Sequence, residues 1–397
     1  MKNSLITAVE KNYNWFKESG VMLPADGSWG IAERLVIKEN NSALAHMQKD
    51  FPTHSEVNGK LIIEHRRPDC NFQAALAFAL LGKNSGSTEA MTTADNLLNY
   101  LYNRSASRNT HVPSYPQGTW RWSDDRWIVP VWYDDNSWCA FIPLLLSKLV
   151  PEFEAKYQLV DGALETTHEL YHALNLAQDR FGNFKRPEFL PLWNGWPNMP
   201  HFGSLVCMAL GAALHYGKRP DYELLIKDYY QFIVRNIDQQ DISECTYILM
   251  GASVCASAGC DTLDLAVNVA EHLLRKLDNP YHNLPSEHGT EAPVGEHLMD
   301  LIYTTNWACL GFQMLNSVKP DKRYSDFLQQ TAQKLVEIQD ESGCWHGMFD
   351  LKANCYGGGD CYEGGANSIY TGWTNAPICC FLSLLNMNKS FIDLLPR

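Results

Sequence analysis

No proline- or serine-rich linker and no run of like charge interrupts the 397 residues, so nothing marks a boundary and one domain spanning 1–397 is expected. A basic stripe is missing too. The formal net charge of -13 is spread along the chain, which excludes nucleic acid and acidic membrane surfaces as partners. Residues 1–20 lack the unbroken apolar run of a signal peptide or a membrane span, because Lys2, Glu10, Lys11, Lys17 and Glu18 interrupt it. No Cys-x-x-Cys pair occurs among the 12 cysteines. Many of them (Cys139, Cys207, Cys255, Cys309, Cys379, Cys380) lie in apolar stretches, where a reduced thiol behaves as a small hydrophobe, so a cytoplasmic location is expected. Neither Gly-x-x-x-x-Gly-Lys nor Gly-x-Gly-x-x-Gly is found, which disfavours phosphate chemistry.

What the chain does have is helical periodicity, in stretches of two alternating kinds. Residues 5–19, 88–104, 162–177, 220–236, 262–278 and 323–339 are amphipathic, with charged and amide side chains on one face. Residues 72–82, 136–150, 202–217, 243–259, 305–316 and 367–386 are rich in Ala, Gly, Ser, Cys, Leu and Phe and nearly free of charge after the first turn. A helix apolar all round is a buried helix. The turn segments also repeat: Asp26-Gly27-Ser28-Trp29, Gln178-Asp179 through Gly182 to Phe184, and Gln339-Asp340 through Gly343 to Trp345. Six inner helices inside six outer ones, an all-α (α/α)6 barrel, satisfy both patterns and the repetition. Leu81-Gly82-Lys83, Tyr216-Gly217-Lys218 and Ala258-Gly259-Cys260 read as glycine C-caps on the plain face of that barrel.

On the other face each inner helix follows a loop crowded with Asp, Glu, His, Arg and Trp. Asp69, Asp134, Asp135, Asp241, Glu244, Asp360 and Glu363 fall at or just before these helix starts. Capping explains any one of them; it explains the set less well, since a cap needs one small polar residue and these loops also bring aromatics and cations. Trp132-Tyr133-Asp134-Asp135-Asn136-Ser137-Trp138 is the strongest motif. Adjacent carboxylates in a partly dry pocket repel, which favours a proton donor at neutral pH, and glycosidic cleavage needs such a donor with a second carboxylate. Asp69, Asp134 and Asp135 are therefore the candidate catalytic acids.

Aromatic side chains line pyranose sites because sugar C–H faces stack on them. Trp120, Trp122, Trp127, Trp132 and Trp138 cluster before the second inner helix, and Trp193 and Trp196 before the third. Trp132, Trp138, Trp193, Trp196, His201, Tyr370 and Trp373 are candidate sugar contacts, and Glu363 in a glycine-rich segment is a further binding candidate. His65 and Arg67 are placed to pair with a substrate carboxylate, a solvated basic cluster being the duller alternative.

At these residues the chain resembles the six-hairpin glycosidase superfamily, most closely the unsaturated glucuronyl and unsaturated rhamnogalacturonyl hydrolases. Pro68-Asp69-Cys70-Asn71-Phe72 matches the family's first acidic segment at Asp and Phe, and Trp132-Tyr133-Asp134 matches its Trp-x-Asp segment. The resemblance implies an (α/α)6 barrel over the full chain, with Asp134 as acid/base and Asp69 as its partner. The implied reaction is hydration of a 4,5-unsaturated uronic acid. Pro68 and Asn71 replace the family's His and Gly, which leaves an ordinary sugar hydrolase on the same barrel open.

The expected function is thus hydrolysis of short, uronic-acid-containing oligosaccharides without metal or cofactor. The expected partners are that substrate and at most a second copy of the chain as a homodimer. A sugar epimerase using His201, His288 and His297, a polysaccharide lyase and a non-enzymatic glycan-binding toroid are the alternatives. Cys344, His346 and Cys361 raise the question of zinc, and metal analysis is expected to find none.

Overall fold

Asn12, in the first helix, holds the two ends of the chain together. Its amide donates to the Gly343 carbonyl at 2.9 Å and to Asn375 Oδ1 at 2.7 Å, while its own oxygen receives the Cys379 thiol at 3.2 Å. The computed structural model describes residues 2–39, 41–110, 116–125, 130–187, 192–237, 240–288, 295–359 and 367–396. Six inner helices form a closed ring in which each touches the next: α3 (Pro68–Ser85), α5 (Tyr133–Leu149), α8 (Pro200–Leu214), α10 (Ile242–Ser257), α12 (Thr305–Val318) and α14 (Ala376–Met387). Each packs on an outer partner: α4 (Thr88–Asn103), α7 (Leu159–Ala177), α9 (Pro220–Arg235), α11 (Leu263–Lys276), α13 (Lys322–Ile338), and for α14 the N-terminal α1 (Lys2–Glu18). The chain therefore folds as an (α/α)6 toroid, its sixth hairpin assembled from both ends of the sequence. Two short helices, α2 (Leu44–Asp50) and α6 (Pro151–Tyr157), lie outside this scheme.

Burial follows the two sequence patterns. Every residue of α3 from Pro68 to Gly82 is buried, as is every residue of α5 from Tyr133 to Ser147. In α13, by contrast, Tyr324, Phe327, Leu328, Ala332, Leu335 and Ile338 form one inward stripe. Among the described residues no helix is long and apolar enough to cross a membrane. The described cysteines are free thiols.

Three expectations are corrected. The C-cap of α3 is Gly86, at φ 73°, and Gly82 instead lies inside the helix where α4 crosses close by. The sixth inner helix starts at Ala376, because Ser368–Tyr370 is a strand and Thr371–Asn375 forms a π-helical turn ahead of it. Short strands, absent from the all-helical expectation, run through the helix-entry loops. They are β1 (Arg34–Val36), β2 (His54–Val57), β3 (Lys60–Ile63), β4 (Val131–Trp132), β5 (Trp193–Asn194), β6 (Leu298–Asp300), β7 (Met348–Asp350), β8 (Cys355–Tyr356) and β9 (Ser368–Tyr370). They pair as β2-β3-β1-β9, β4-β5 and β6-β7-β8. Loop backbone buried around the mouth of the ring needs hydrogen-bond partners, and these ladders supply them. Two to four residues are too few to show an alternating pattern in sequence.

Inner helices approach closely where glycine permits. A Cβ on Gly251 of α10 would collide with the Ser204 carbonyl oxygen of α8 and the Tyr230 hydroxyl. Gly251→Ala is therefore expected to destabilise the fold by about 1–3 kcal/mol, measured as a lower denaturation midpoint with unchanged slope.

Candidate active site

All six inner helices begin without a backbone N–H bonded to the side chain of their own N-cap residue; these residues are Arg67, Trp132, Met199, Asp241, Thr304 and Asn375. Capping thus does not explain the acids. Asp69, Asp134, Asp135 and Glu244 sit inside the first turn, where the exposed N–H ends favour negative charge. Asp241, placed at the N-cap of α10, leaves that work to Glu287, whose carboxylate accepts from the backbone of Ile242 and Ser243.

At the centre of this face lies a cavity of about 220 Å³ bordered by Arg67, Trp132, Asp134, Asp135, His201 and Trp373, with Glu33, Arg34, Phe51, Trp122, Ile302, Tyr303 and Tyr370 completing the wall. A larger groove of about 610 Å³ on the outer wall, between α9 and α11, has no comparable cluster of buried charge. Arg67 organises the cavity floor. Its guanidinium grips Asp69 with Nε at 3.2 Å and Nη2 at 3.0 Å, reaches Asp135 at 2.6 Å and Glu33 at 3.1 Å, and lies between the rings of Trp122 and Trp373. Arg34 pairs with Glu33 at 3.4 Å, bonds the Tyr370 hydroxyl and stacks on Phe51.

The acids differ in surroundings. Asp69 is fully buried beneath the cavity, its second oxygen also held by the Trp373 indole N–H at 2.9 Å. Asp134 and Asp135 reach the cavity, and each has one oxygen, Oδ1 of Asp134 and Oδ2 of Asp135, without a partner among the described residues. Asp134 Oδ2 lies 3.2 Å from His201 Nε2. The His201 ring is sandwiched between Phe202 and Tyr247, both with centroids at 4.7 Å, and its backbone N–H donates to Glu244 at 2.6 Å.

Two guanidinium groups thus face the carboxyl groups of Glu33, Asp69, Asp134 and Asp135. Burial pushes Asp135 well above the ordinary carboxylate range despite Arg67, with Asp69 and Asp134 adding repulsion. Burial raises Asp69 as well, against the pull of Arg67. Burial would lower His201, but the hydrogen bond and charge of Asp134 outweigh it and hold the imidazole above its usual value. Burial and mutual repulsion thus favour the neutral form of the Asp69–Asp135 pair, beside an Asp134 that is hydrogen-bonded to a histidine.

No protein-family model matches the chain, and no curated protein does. Solved structures do. An α-1,6-mannanase from Salegentibacter sp. HEL1_6 superposes with a TM-score of 0.59 at 10% identity, covering 96% of this chain and 98% of its own. An inactive variant of that enzyme, two consecutive aspartates replaced by asparagine, is known in complex with α-1,6-mannotriose (TM-score 0.57, 11% identity, 97% and 100% covered). Cellobiose 2-epimerase from Spirochaeta thermophila DSM 6192 gives 0.61 at 12% identity over 95% of this chain and 96% of the epimerase. The fold is the six-hairpin toroid of these enzymes. At such identities the likeness shows the fold alone.

Within this toroid the expected site residues separate. Arg67, Trp132, Asp134, Asp135, His201, Tyr370 and Trp373 border the cavity, and Asp69 lies under it. Trp138 is buried against Trp307, and Trp193 against Tyr133, so both pack the ring and neither borders the cavity. Trp196 is 49% exposed and meets Phe202 edge-on, outside the cavity wall. His65 is buried 2.7 Å from Asp125, and Arg67 is saturated by protein carboxylates, so neither is placed to receive a substrate carboxylate. Glu363 lies outside the described residues. Glu33, Arg34 and Tyr303 were missed because they sit on strands and loops far from any acidic motif in sequence.

The charge excess sets a stability test. A carboxyl whose folded pKa is raised contributes stability that is present below the unfolded value and lost as pH rises through the folded one. Asp135→Asn removes that loss, so thermal melts from about pH 4 to about pH 8 should show the variant gaining on the parent as pH rises. Arg67→Met strands Asp69 and Asp135 instead and should cost about 3–5 kcal/mol at neutral pH in denaturant titration.

Proposed function

We propose that the protein is a glycoside hydrolase in which Asp135 is the proton donor and Asp134 the nucleophile or base. The observation that carries this reading is the pair itself: consecutive residues, both reaching one cavity, given opposite tasks by their partners. Asp135, its carboxyl pushed upward by burial, delivers a proton to the glycosidic oxygen as the C–O bond breaks and the departing sugar takes up that proton. Asp134, hydrogen-bonded to His201, attacks the anomeric carbon or deprotonates the water that does. Asp69 acts through Arg67, holding its fork in place under Asp135. The mannanase variant with two consecutive aspartates replaced is inactive, which is in keeping with a tandem pair carrying the chemistry.

A neutral sugar suits the cavity better than a uronic acid. The arginines on its wall, Arg34 and Arg67, already face protein carboxylates, and a further substrate carboxylate would add to the charge excess. Trp132, Tyr303 and Trp373 supply ring faces for stacking instead. Short α-linked manno-oligosaccharides are the first substrates to test, with 4,5-unsaturated uronides as the contrasting set.

Epimerisation has one observation in its favour: His201 and His288 are each held by a carboxylate, Asp134 at 3.2 Å and Asp300 at 3.1 Å, and His288 packs on Tyr303 of the cavity wall. Product analysis separates the two. Hydrolysis adds one water to the substrate mass, whereas epimerisation conserves mass and takes deuterium from heavy water. Asp134→Asn and Asp135→Asn should each lower kcat/KM for hydrolysis by at least about 10²–10⁴. Unchanged turnover in both variants would refute the assignment.

A further inference from the structure

The same turn is built three times at the ends of outer helices, and only the last copy is armed with soft ligands. In the first copy the Asp179 N–H donates to the Asn183 carbonyl at 2.8 Å, Gly182 donates back to Asp179 at 2.9 Å, and Asp179 Oδ1 receives the Phe181 N–H at 2.8 Å. In the last, Asp340 donates to the Cys344 carbonyl at 3.0 Å, Gly343 to Asp340 at 2.8 Å, and Ser342 N–H to Asp340 Oδ1 at 2.9 Å. Asn279 plays the Asp role in the remaining copy, receiving the Tyr281 N–H at 3.0 Å. The positions four and six residues after the turn acid or amide hold Asn183 and Lys185, then Asn283 and Pro285, then Cys344 and His346. In the first copy Asn183 and Lys185 satisfy the Asp179 carboxylate, at 3.2 and 3.6 Å. The turn itself thus demands neither a thiol nor an imidazole.

The geometry points to a site for a borderline-soft divalent cation, zinc or its relatives, formed by Asp340, Cys344 and His346. One ligand atom from each of the three lies within 4.8 Å of the others. Thiolate, imidazole and carboxylate together are a zinc-type donor set, and three protein ligands leave a fourth position for water. Cys344 is 1% exposed, Ser342 Oγ lies 3.4 Å from its sulfur, and the His346 ring is stacked on Tyr356 with centroids 4.2 Å apart, so two of the three ligands are held in place by packing. Among the described residues Lys60 adds a positive charge near Asp340 and Cys344. The absence of zinc expected from sequence rested on spacing, which did not show that the turn folds Asp340 back onto Cys344 and His346.

The site would brace the mouth of the ring. Gly347, next to His346, donates to Ser368 of β9 at 3.1 Å and accepts from Leu301 at 2.9 Å, and Asn375 clasps the Trp345 backbone. These strands lead to Tyr303, Tyr370 and Trp373 of the cavity. The three ligands lie outside the cavity lining, so the proposal is independent of the glycosidase reading.

Metal-stripped, reduced full-length protein titrated with Co²⁺ tests it. The expected result is one saturable equivalent with thiolate-to-cobalt charge-transfer absorption, displaced by Zn²⁺. Cys344→Ser should abolish that absorption, and Asp340→Asn or His346→Gln should weaken Co²⁺ binding at least about 10-fold, with the metal-free melting temperature of each variant checked against the parent. Should a variant fail to fold, protection of Cys344 in the parent from alkylation by Zn²⁺, measured at a denaturant concentration where the metal-free thiol reacts and read by peptide mass mapping, serves instead. Cobalt binding without a thiolate band, a band that survives Cys344→Ser, or alkylation of Cys344 unaffected by Zn²⁺ would overturn the proposal.

Discussion

One buried guanidinium holds the chemistry of this protein together. Arg67 stands immediately before α3, and its fork joins Asp69 of the first inner helix, Asp135 of the second and Glu33 beside β1. A cation so enclosed is costly to desolvate, and burial alone would make it a poorer base site; the surrounding acids more than offset this and raise its proton affinity far above normal. The dependence runs both ways. Without Arg67 the acids could not be buried together, and without the acids the arginine could not lie between Trp122 and Trp373. Carboxyl groups outnumber guanidinium groups here, and that surplus, together with burial, is what pushes Asp69 and Asp135 upward.

The toroid makes that arrangement possible. Parallel inner helices bring first turns from distant parts of the sequence to one face, and leaving those turns uncapped by their own N-cap residues gives the acids N–H dipoles to lean on. The Glu244 carboxylate, at the start of α10, receives the His201 N–H at the start of α8, so neighbouring helix starts satisfy one another across the ring. His201 is thereby fixed at its backbone by one acid and at its ring by another. The π-helical turn at Thr371–Asn375 does similar work from the last helix, presenting Trp373 to Asp69 while Asn375 and Asn306 tie its backbone down. A helix that began regularly at residue 367 would have placed the indole elsewhere on the helix circumference.

How far the sequence foretold this depends on which physical signal each part leaves. The alternation of amphipathic and wholly apolar helices is a long-wavelength pattern set by burial, and it was readable from end to end. Asp69, Asp134 and Asp135 stood out because carboxylates at the head of an apolar helix are expensive unless used or paired. Partnership was not readable. Nothing in the spacing says that Arg67 would turn inward to its own neighbour Asp69, or that Glu33 and Arg34 would arrive on a strand contributed by a loop. Aromatic density misled for the same reason: Trp138 shares a cluster with Trp132 and Trp193 lies in the next entry loop, yet helix phase turns the first into the ring core and sheet pairing buries the second.

Why consecutive aspartates can differ in role follows from the helix itself. Successive residues in a first turn point about 100° apart. Asp135 is thereby directed toward α3 and Arg67, and Asp134 toward α8 and His201. The pair shares one cavity but faces opposite neighbours, so the same backbone step delivers one carboxyl to a site of excess negative charge and the other to a basic ring. A spacing of three or four residues along α5 would instead set both carboxyls on one helix face, toward the same neighbour, and erase the asymmetry. The tandem acid is therefore a consequence of ring geometry: it is the shortest sequence that lets one inner helix present two different carboxyl environments to the two helices that flank it.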